Sequence, residues 1–456
     1  MVGREDNNIK YYFDLVKNKT SLFLIPYSLL VFYFVFKTSQ TLPPFRDEIV
    51  SLSANIGFFL NSLNFEGPRE TIFQGLYSPF LTSPPLSAVG SSLAWYFTDN
   101  FNIIRLSNFA WVLVVQLLLG YQVSKIYNLN YQKVVIFSTF SLIAFPFWFG
   151  SIYSLGETIS IIIFFNSILL YKDFPNVSIL MMGSIVFFGK IILVLLFIFF
   201  YFSNLLLNKN FRKIPKEIFI FLTPSFLWLL LILFKSEYQT VGDYADDFLI
   251  MWNYMGSQVG NLSLLDILNY SNIVNNFETS GVLSWNTSVI LRVFLPPILL
   301  SAVLVIKKGK DLMLEVNQLV YLFFGLAPLY GWFILVSPEK PIIYAAHFTF
   351  PVLMFCFYLL SRKNLKKDLV NNTAFFTFSL YMTSEILFAV SLLLLILIST
   401  TKKFKYSLIV PLIVLNIFNA TYEVSQDEIY IVDITKCKPD VSSNYCFEYL
   451  MSIKEN

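Results

Sequence analysis

Apolar residues run along this chain in long unbroken stretches, without the one-sided or alternating patterns of soluble helices and strands. Residues 21–36, 103–123, 132–150, 176–207, 217–234 and 286–306 form such stretches, as do 315–336, 342–360, 374–399 and 404–418. Several approach the roughly 20 residues that carry a helix across hydrocarbon. The 176–207 run is too long for one crossing, and Gly189-Lys190 near its middle predicts two short helices meeting there. The 374–399 run predicts one tilted helix or two short ones broken near Ser384-Glu385. The runs are spread over the whole chain, so no sizeable soluble module is expected before or after them.

Composition strengthens this picture. The chain is 56% hydrophobic and 13% charged, with a mean hydropathy of +0.65, whereas about a quarter of a typical soluble domain is charged. The pattern predicts an all-α polytopic membrane protein of about 11 to 13 spans, with juxtamembrane helices outside the bilayer. Its expected parts are a cytoplasmic N-terminus (1–20), a transmembrane region (21–418) and a polar tail (419–456). No small-residue cleavage site follows the first run, so 21–36 reads as a retained helix. The net charge of +3 implies no polyanionic partner, and nucleic acid is not expected. Cys356 lies inside an apolar run, while Cys437 and Cys446 in the tail could form a disulfide if the tail faces an oxidising compartment.

Charge in the loops assigns the sides. Lys209, Arg212, Lys213 and Lys216, then Lys307, Lys308 and Lys310, then Arg362, Lys363, Lys366 and Lys367 mark cytoplasmic loops. Residues 37–102, 236–285 and 337–341 are poor in Lys and Arg and face outward. If 81–98 spanned, Lys125 and Lys133 would be left outside; an external, partly embedded helix over 84–97 is therefore expected.

Four external features could carry chemistry. Arg46-Asp47-Glu48 follows the first helix, and carboxylates beside a membrane cavity are costly unless paired or used; the alternative is an interfacial helix cap. Glu157, in Ser154-Leu155-Gly156-Glu157-Thr158, either contributes to a site or favours the start of the next helix. Lys190 either snorkels to the interface or binds an anion at a helix junction. Pro338-Glu339-Lys340-Pro341, with Tyr344 and His347, opens the 342–360 run; His347 could contact a phosphate, shuttle a proton or simply bond between helices. All four are expected on one side of the membrane, and independent structural accidents would not have to agree. The 236–285 loop, with Asp243, Asp246, Asp247, Trp252 and Tyr254, is either an acceptor-recognition element or a solvated acidic loop.

The order of these features over residues 20–360 resembles the GT-C superfamily of membrane glycosyltransferases, which includes protein O-mannosyltransferases and the aminoarabinose transferase acting on lipid A. Arg46-Asp47-Glu48 resembles the external acidic motif, Ser83-Pro84-Pro85-Leu86 the segment opening an external helix, and Arg105-Leu106 the start of the next span. Gly156-Glu157 occupies the place of the second external acid, Gly189-Lys190 resembles Thr-Lys, and His347-Phe348 through Pro351 resembles Arg-Tyr-x-x-Pro. Ser83 stands where the family has His or Lys, and His347 where Arg is common.

The resemblance implies an inverting transferase that moves a sugar from a polyprenyl-phosphate donor to a lipid, glycan or protein acceptor at the external face. Asp47 would accept the acceptor's proton, with Glu48 and Glu157 orienting the acceptor or stabilising positive charge on the sugar. Arg46, Arg105, Lys190, Lys340, Tyr344 and His347 would bind substrate, the cations stabilising the leaving phosphate. No cofactor or metal is required, although paired carboxylates could take a divalent cation. The expected location is a plasma (inner) membrane with the site facing the periplasm or exterior, the alternative being the endoplasmic reticulum. The rival function is a transporter or flippase of a lipid-linked or small anionic substrate, against which stands the lack of an internal repeat.

Overall fold

The computed structural model describes residues 19–42, 48, 51–52, 86–98, 100–144, 147–153, 155–188, 193, 197–198, 200–202, 205, 211–235, 240–258, 287–307, 346–363 and 369–382. These residues are helical apart from turns, short connecting residues and isolated bridge positions, among which Leu129 pairs with Arg362. The elements are α1 (Lys19–Thr41), α2 (Val89–Phe97), α3 (Phe101–Ile126), α4 (Tyr131–Ser141), α5 (Phe147–Ile152), α6 (Glu157–Leu170) and α7 (Pro175–Gly183), the last continued by a 3₁₀ turn over Ser184–Phe187. After them come α8 (Ile214–Lys235, entered through a 3₁₀ turn), α9 (Val241–Gln258), α10 (Thr287–Lys307), α11 (Ala346–Leu360) and α12 (Leu369–Tyr381). Two helical stretches, Phe101–Ile126 and Phe211–Leu231, are long and apolar enough to cross a membrane.

Local chemistry sets the boundaries. Asn100 caps α3, its side-chain oxygen accepting from the backbone N–H of Asn102 and Ile103 at 3.0 and 3.3 Å. Asn130 does the same for α4 through Lys133 N–H at 3.3 Å. The 132–150 run divides into α4 and α5 because Pro146 supplies no N–H and disfavours helix at the residue before it. The 84–97 helix is present as the shorter α2, packed along α3. In the 176–207 run, α7 gives way to the 3₁₀ turn just before Gly189. Residues 236–285 were expected as an external loop, yet Val241–Gln258 within it form α9, whose start Thr240 and Asp243 cap reciprocally: Thr240 N–H donates to Asp243 Oδ2 at 2.8 Å and Asp243 N–H to Thr240 Oγ1 at 3.2 Å. The runs at 315–336 and 404–418, any break near Ser384-Glu385, and the tail cysteines lie outside the described residues.

α6 is central, with every residue from Glu157 to Leu170 buried, and α3, α7 and α11 pack around it. Its apolar surface explains this position. Three of these helices are joined by a polar ring closed inside the core. Gln116 Nε2 donates to Tyr358 Oη at 3.2 Å, Tyr358 Oη donates to Asn166 Oδ1 at 2.5 Å, and Asn166 Nδ2 donates back to Gln116 Oε1 at 3.4 Å. All three side chains are buried, so an unmade bond here costs the desolvation of its partners. Replacing Tyr358 with Phe should therefore lower unfolding free energy by roughly 1–3 kcal/mol, measured by denaturation in detergent; an unchanged midpoint would show the ring to be dispensable.

α3 defines two ends. At its Lys125 end, the 127–133 turn meets the 361–363 turn: Asn130 N–H donates to Ser361 O at 2.8 Å and Lys133 Nζ to Arg362 O at 3.2 Å. Tyr127 Oη donates to Leu169 O at 2.8 Å and Tyr171 Oη to Glu217 Oε1 at 3.4 Å. These contacts gather Lys125, Lys133, Lys172, Arg212, Lys213, Lys216, Arg362 and Lys363 at one end, with Asp173 and Glu217 the acids among the same described turns. α11 finishes here, so its first turn, with His347, lies towards the opposite end.

Candidate functional site

At the Arg105 end the chain carries a sealed ion pair. Arg105 Nε and Nη2 donate to Glu48 Oε1 and Oε2 at 3.0 and 2.7 Å, both side chains being 0% exposed. Nη1 of the same guanidinium donates to Ser39 O at 2.9 Å and Leu42 O at 2.8 Å, the carbonyls where α1 ends. Arg105 thus closes a helix C-terminus, whose last carbonyls and dipole favour a cation. The rings of Phe101 and Tyr153 flank its guanidinium carbon at 4.4 and 4.6 Å. A planar fork with fixed donors is suited to a carboxylate held on two oxygens.

The pair leads directly to the second acid. Asn108, one turn along α3 from Arg105, donates to the carbonyls of Ser151 and Tyr153 at 3.1 and 2.9 Å and so closes α5. Gly156 then reverses the chain with φ of +72°, and Glu157 begins α6. Glu157 is 3% exposed, at the helix start where a carboxylate is favoured. A side chain at Gly156 would overlap the Phe188 carbonyl oxygen and stand 2.7 Å from Ser87 Cβ. Only glycine meets both the left-handed backbone and this contact. Gly156→Ala should consequently destabilise the protein by more than about 1 kcal/mol, seen as a lower thermal midpoint; a neutral effect would mean the turn is not packed this way.

That tight turn brings three distant segments together. Leu86 N–H donates to Phe187 O at 3.0 Å, Ser160 Oγ to Phe188 O at 3.1 Å, and the hydroxyls of Ser51 and Ser87 are 3.3 Å apart. The residue after the Ser83-Pro84-Pro85 segment, the turn holding Glu157 and the end of the 3₁₀ stretch are therefore neighbours. Within this region Asn108 Oδ1, Ser151 Oγ and Thr158 Oγ1 are buried polar atoms without a hydrogen-bond partner among the described residues. They surround the last turn of α5; a Cβ on Gly150 would stand only 2.6 Å from Thr158 Oγ1. Buried oxygens of this kind ordinarily find a partner.

Of the residues singled out in the sequence, Glu48 and Arg105 are brought into direct contact, Glu157 lies beside their shared neighbours, and His347 is buried in the first turn of α11. Arg46, Asp47, Lys190, Lys340 and Tyr344 lie outside the described residues. In α9, Asp243 serves the helix cap, and Tyr244 has its hydroxyl pKa pushed up by burial and then by the nearby Asp247 charge, which keeps it a hydrogen-bond donor. Arg292, 1% exposed in α10, belongs to no motif; its signal is being the lone charge within the 286–306 run. Among the described residues no group of three or more His, Cys, Asp or Glu is placed to hold a metal ion. No family model, curated protein or solved structure matches the chain.

Proposed function

We propose that this is a multi-pass membrane protein of GT-C-like architecture that transfers a sugar, with inversion, from a polyprenyl-phosphate donor to a lipid, glycan or protein acceptor at the outer face. One observation carries the reading: the Glu48–Arg105 pair, Glu157 and the 3₁₀ turn that ends at Phe188 share one end of the helices, opposite an end crowded with lysine and arginine. Segregation of this kind fits a bilayer between the two ends. The outward apolar surface fits it too: Phe219 and Phe226 on α8 are 74% and 59% exposed, and Phe97 on α2 is 80% exposed, a belt that water would disfavour.

In this scheme Asp47, next in sequence to the anchored Glu48, takes the proton from the attacking acceptor hydroxyl. The acceptor oxygen bonds to the anomeric carbon as the bond to the carrier phosphate breaks, and the phosphate leaves with the electron pair. Glu48 acts through Arg105, holding the segment that bears Asp47 at the end of α1. Glu157 is assigned to the positive charge that develops on the ring. Lys190, His347, Arg46, Lys340 and Tyr344 are assigned to the phosphate.

The test is incubation of the purified protein with a labelled polyprenyl-phosphate sugar and a membrane-lipid extract, beside uptake into sealed vesicles. Label moved to a new acceptor, with release of polyprenyl phosphate, supports the reading. Label that crosses the bilayer with its carrier bond intact overturns it in favour of a flippase.

A further inference from the structure

We infer that the 127–133 and 361–363 turns form a headgroup site for an anionic phospholipid, at the end of the molecule away from the proposed chemistry. The inference rests on the membrane reading but not on sugar transfer. Three ammonium groups are preset there. Lys125 Nζ lies 4.1 Å above the Tyr121 ring, Lys133 Nζ spends one donor on Arg362 O at 3.2 Å, and Lys363 Nζ spends one on Asn128 Oδ1 at 2.6 Å. An ammonium has three donors, so each retains capacity for a phosphate oxygen.

The patch is built rather than incidental. Two turns more than 200 positions apart in sequence are clamped by the Asn130–Ser361 and Leu129–Arg362 backbone contacts. Asn128 takes the left-handed conformation, φ 52°, that presents its side chain to Lys363. Tyr131 packs edge-on against Tyr121 with ring centroids 5.2 Å apart, bridging the two lysine-bearing helices. Residues 121–133 and 361–363 contain no Asp or Glu, so nothing within them neutralises the cations.

The neighbouring surface supplies the other half of a lipid. Val114, Leu118, Gln122 and Lys125 recur at helical spacing along one exposed face of α3, with Val114 and Leu118 exposed by 47% and 65%. From Lys125 this apolar strip reaches about 16 Å along the helix at 1.5 Å per residue, the depth of an acyl chain beneath its headgroup. A free anion would use the lysines alone; a phospholipid uses the lysines and the strip, with the tyrosines at the interface between them.

The test uses the full chain in nanodiscs of mixed phosphatidylcholine and phosphatidylglycerol, with the lipids that stay bound after release counted by native mass spectrometry. Enrichment of phosphatidylglycerol over the bulk mixture is expected. Lys125→Gln, an exposed change, should reduce that enrichment about fivefold, which is the ~1 kcal/mol of one interfacial lysine converted to a ratio. Adding Lys133→Gln and Lys363→Gln should bring it to the bulk value. Lys213→Gln with Lys216→Gln, at the same end in the 3₁₀ turn before α8 and in its first turn, should leave it unchanged. Equal loss in that control, no enrichment in the unaltered protein, or displacement by millimolar inorganic phosphate would each overturn the site. Recovery of the chain in the aqueous phase without detergent would instead overturn the membrane reading itself.

Discussion

Arg105→Ala should cost the protein roughly 3–5 kcal/mol of stability, the range for removing one partner of a buried ion pair. Glu48 would be left as a charge with no exposure to water, and the carbonyls of Ser39 and Leu42 would lose their donor. Glu48→Gln should fall in the same range, because it leaves the guanidinium charged and enclosed. The double variant Glu48→Leu with Arg105→Met should recover most of the loss, since an apolar pair of similar volume replaces a buried ion pair at little net cost. Recovery should stop short of complete because the two α1 carbonyls still lack a donor, each such group costing about 1–3 kcal/mol. Unfolding of the three variants in detergent, followed by tryptophan fluorescence, reads all of this. Single variants within about 1 kcal/mol of the parent protein would show that the pair does not hold the fold.

Asp47→Asn should lower sugar transfer by about 10²–10⁴-fold, the usual contribution of a positioned base, and should leave membrane insertion and thermal midpoint intact. The contrast with its neighbour is the point of the measurement. Glu48→Gln is expected to fail by unfolding and Asp47→Asn by chemistry alone, so two adjacent acids should give separable phenotypes. Transfer at the parental rate in folded Asp47→Asn protein would remove Asp47 from the mechanism and leave Glu157 as the next carboxylate to examine.

Much of the helix layout was legible in the sequence because apolar runs and helix breakers record it. Asn100 and Asn130 mark two starts, and the 3₁₀ turn over Ser184–Phe187 ends α7 inside the long 176–207 run. The division of 132–150 was written in Pro146, which weighs less in a hydrophobicity scan than in backbone sterics. α9 was legible in Thr240-Val-Gly-Asp243, but its acids resemble a solvated loop when counted only as charge. The grouping of Glu157 with Arg105 could be expected from alternation of loop charge. The bonding of Arg105 to Glu48 could not, because their separation of 57 positions says nothing about which cation meets which carboxylate. Arg105 viewed alone reads as a phosphate ligand; its assignment to the end of α1 depends on two backbone carbonyls that no residue type encodes. Asn108, Ser151 and Thr158 are likewise ordinary polar residues until three helices bring them to one turn.

The seal at the end of α1 also sets an order of assembly. The carbonyl of Ser39 must wait for a guanidinium made 66 residues later, a delay on the order of several seconds at the pace of translation. Throughout that interval the first helix has no fixed C-terminal end, and the whole segment between it and α3 must be synthesised before Glu48 meets Arg105. A nascent chain arrested just short of residue 105 should therefore hold α1 loosely, while one extended well past α3 can close the Glu48–Arg105 pair and still lacks the Tyr153 ring that flanks it.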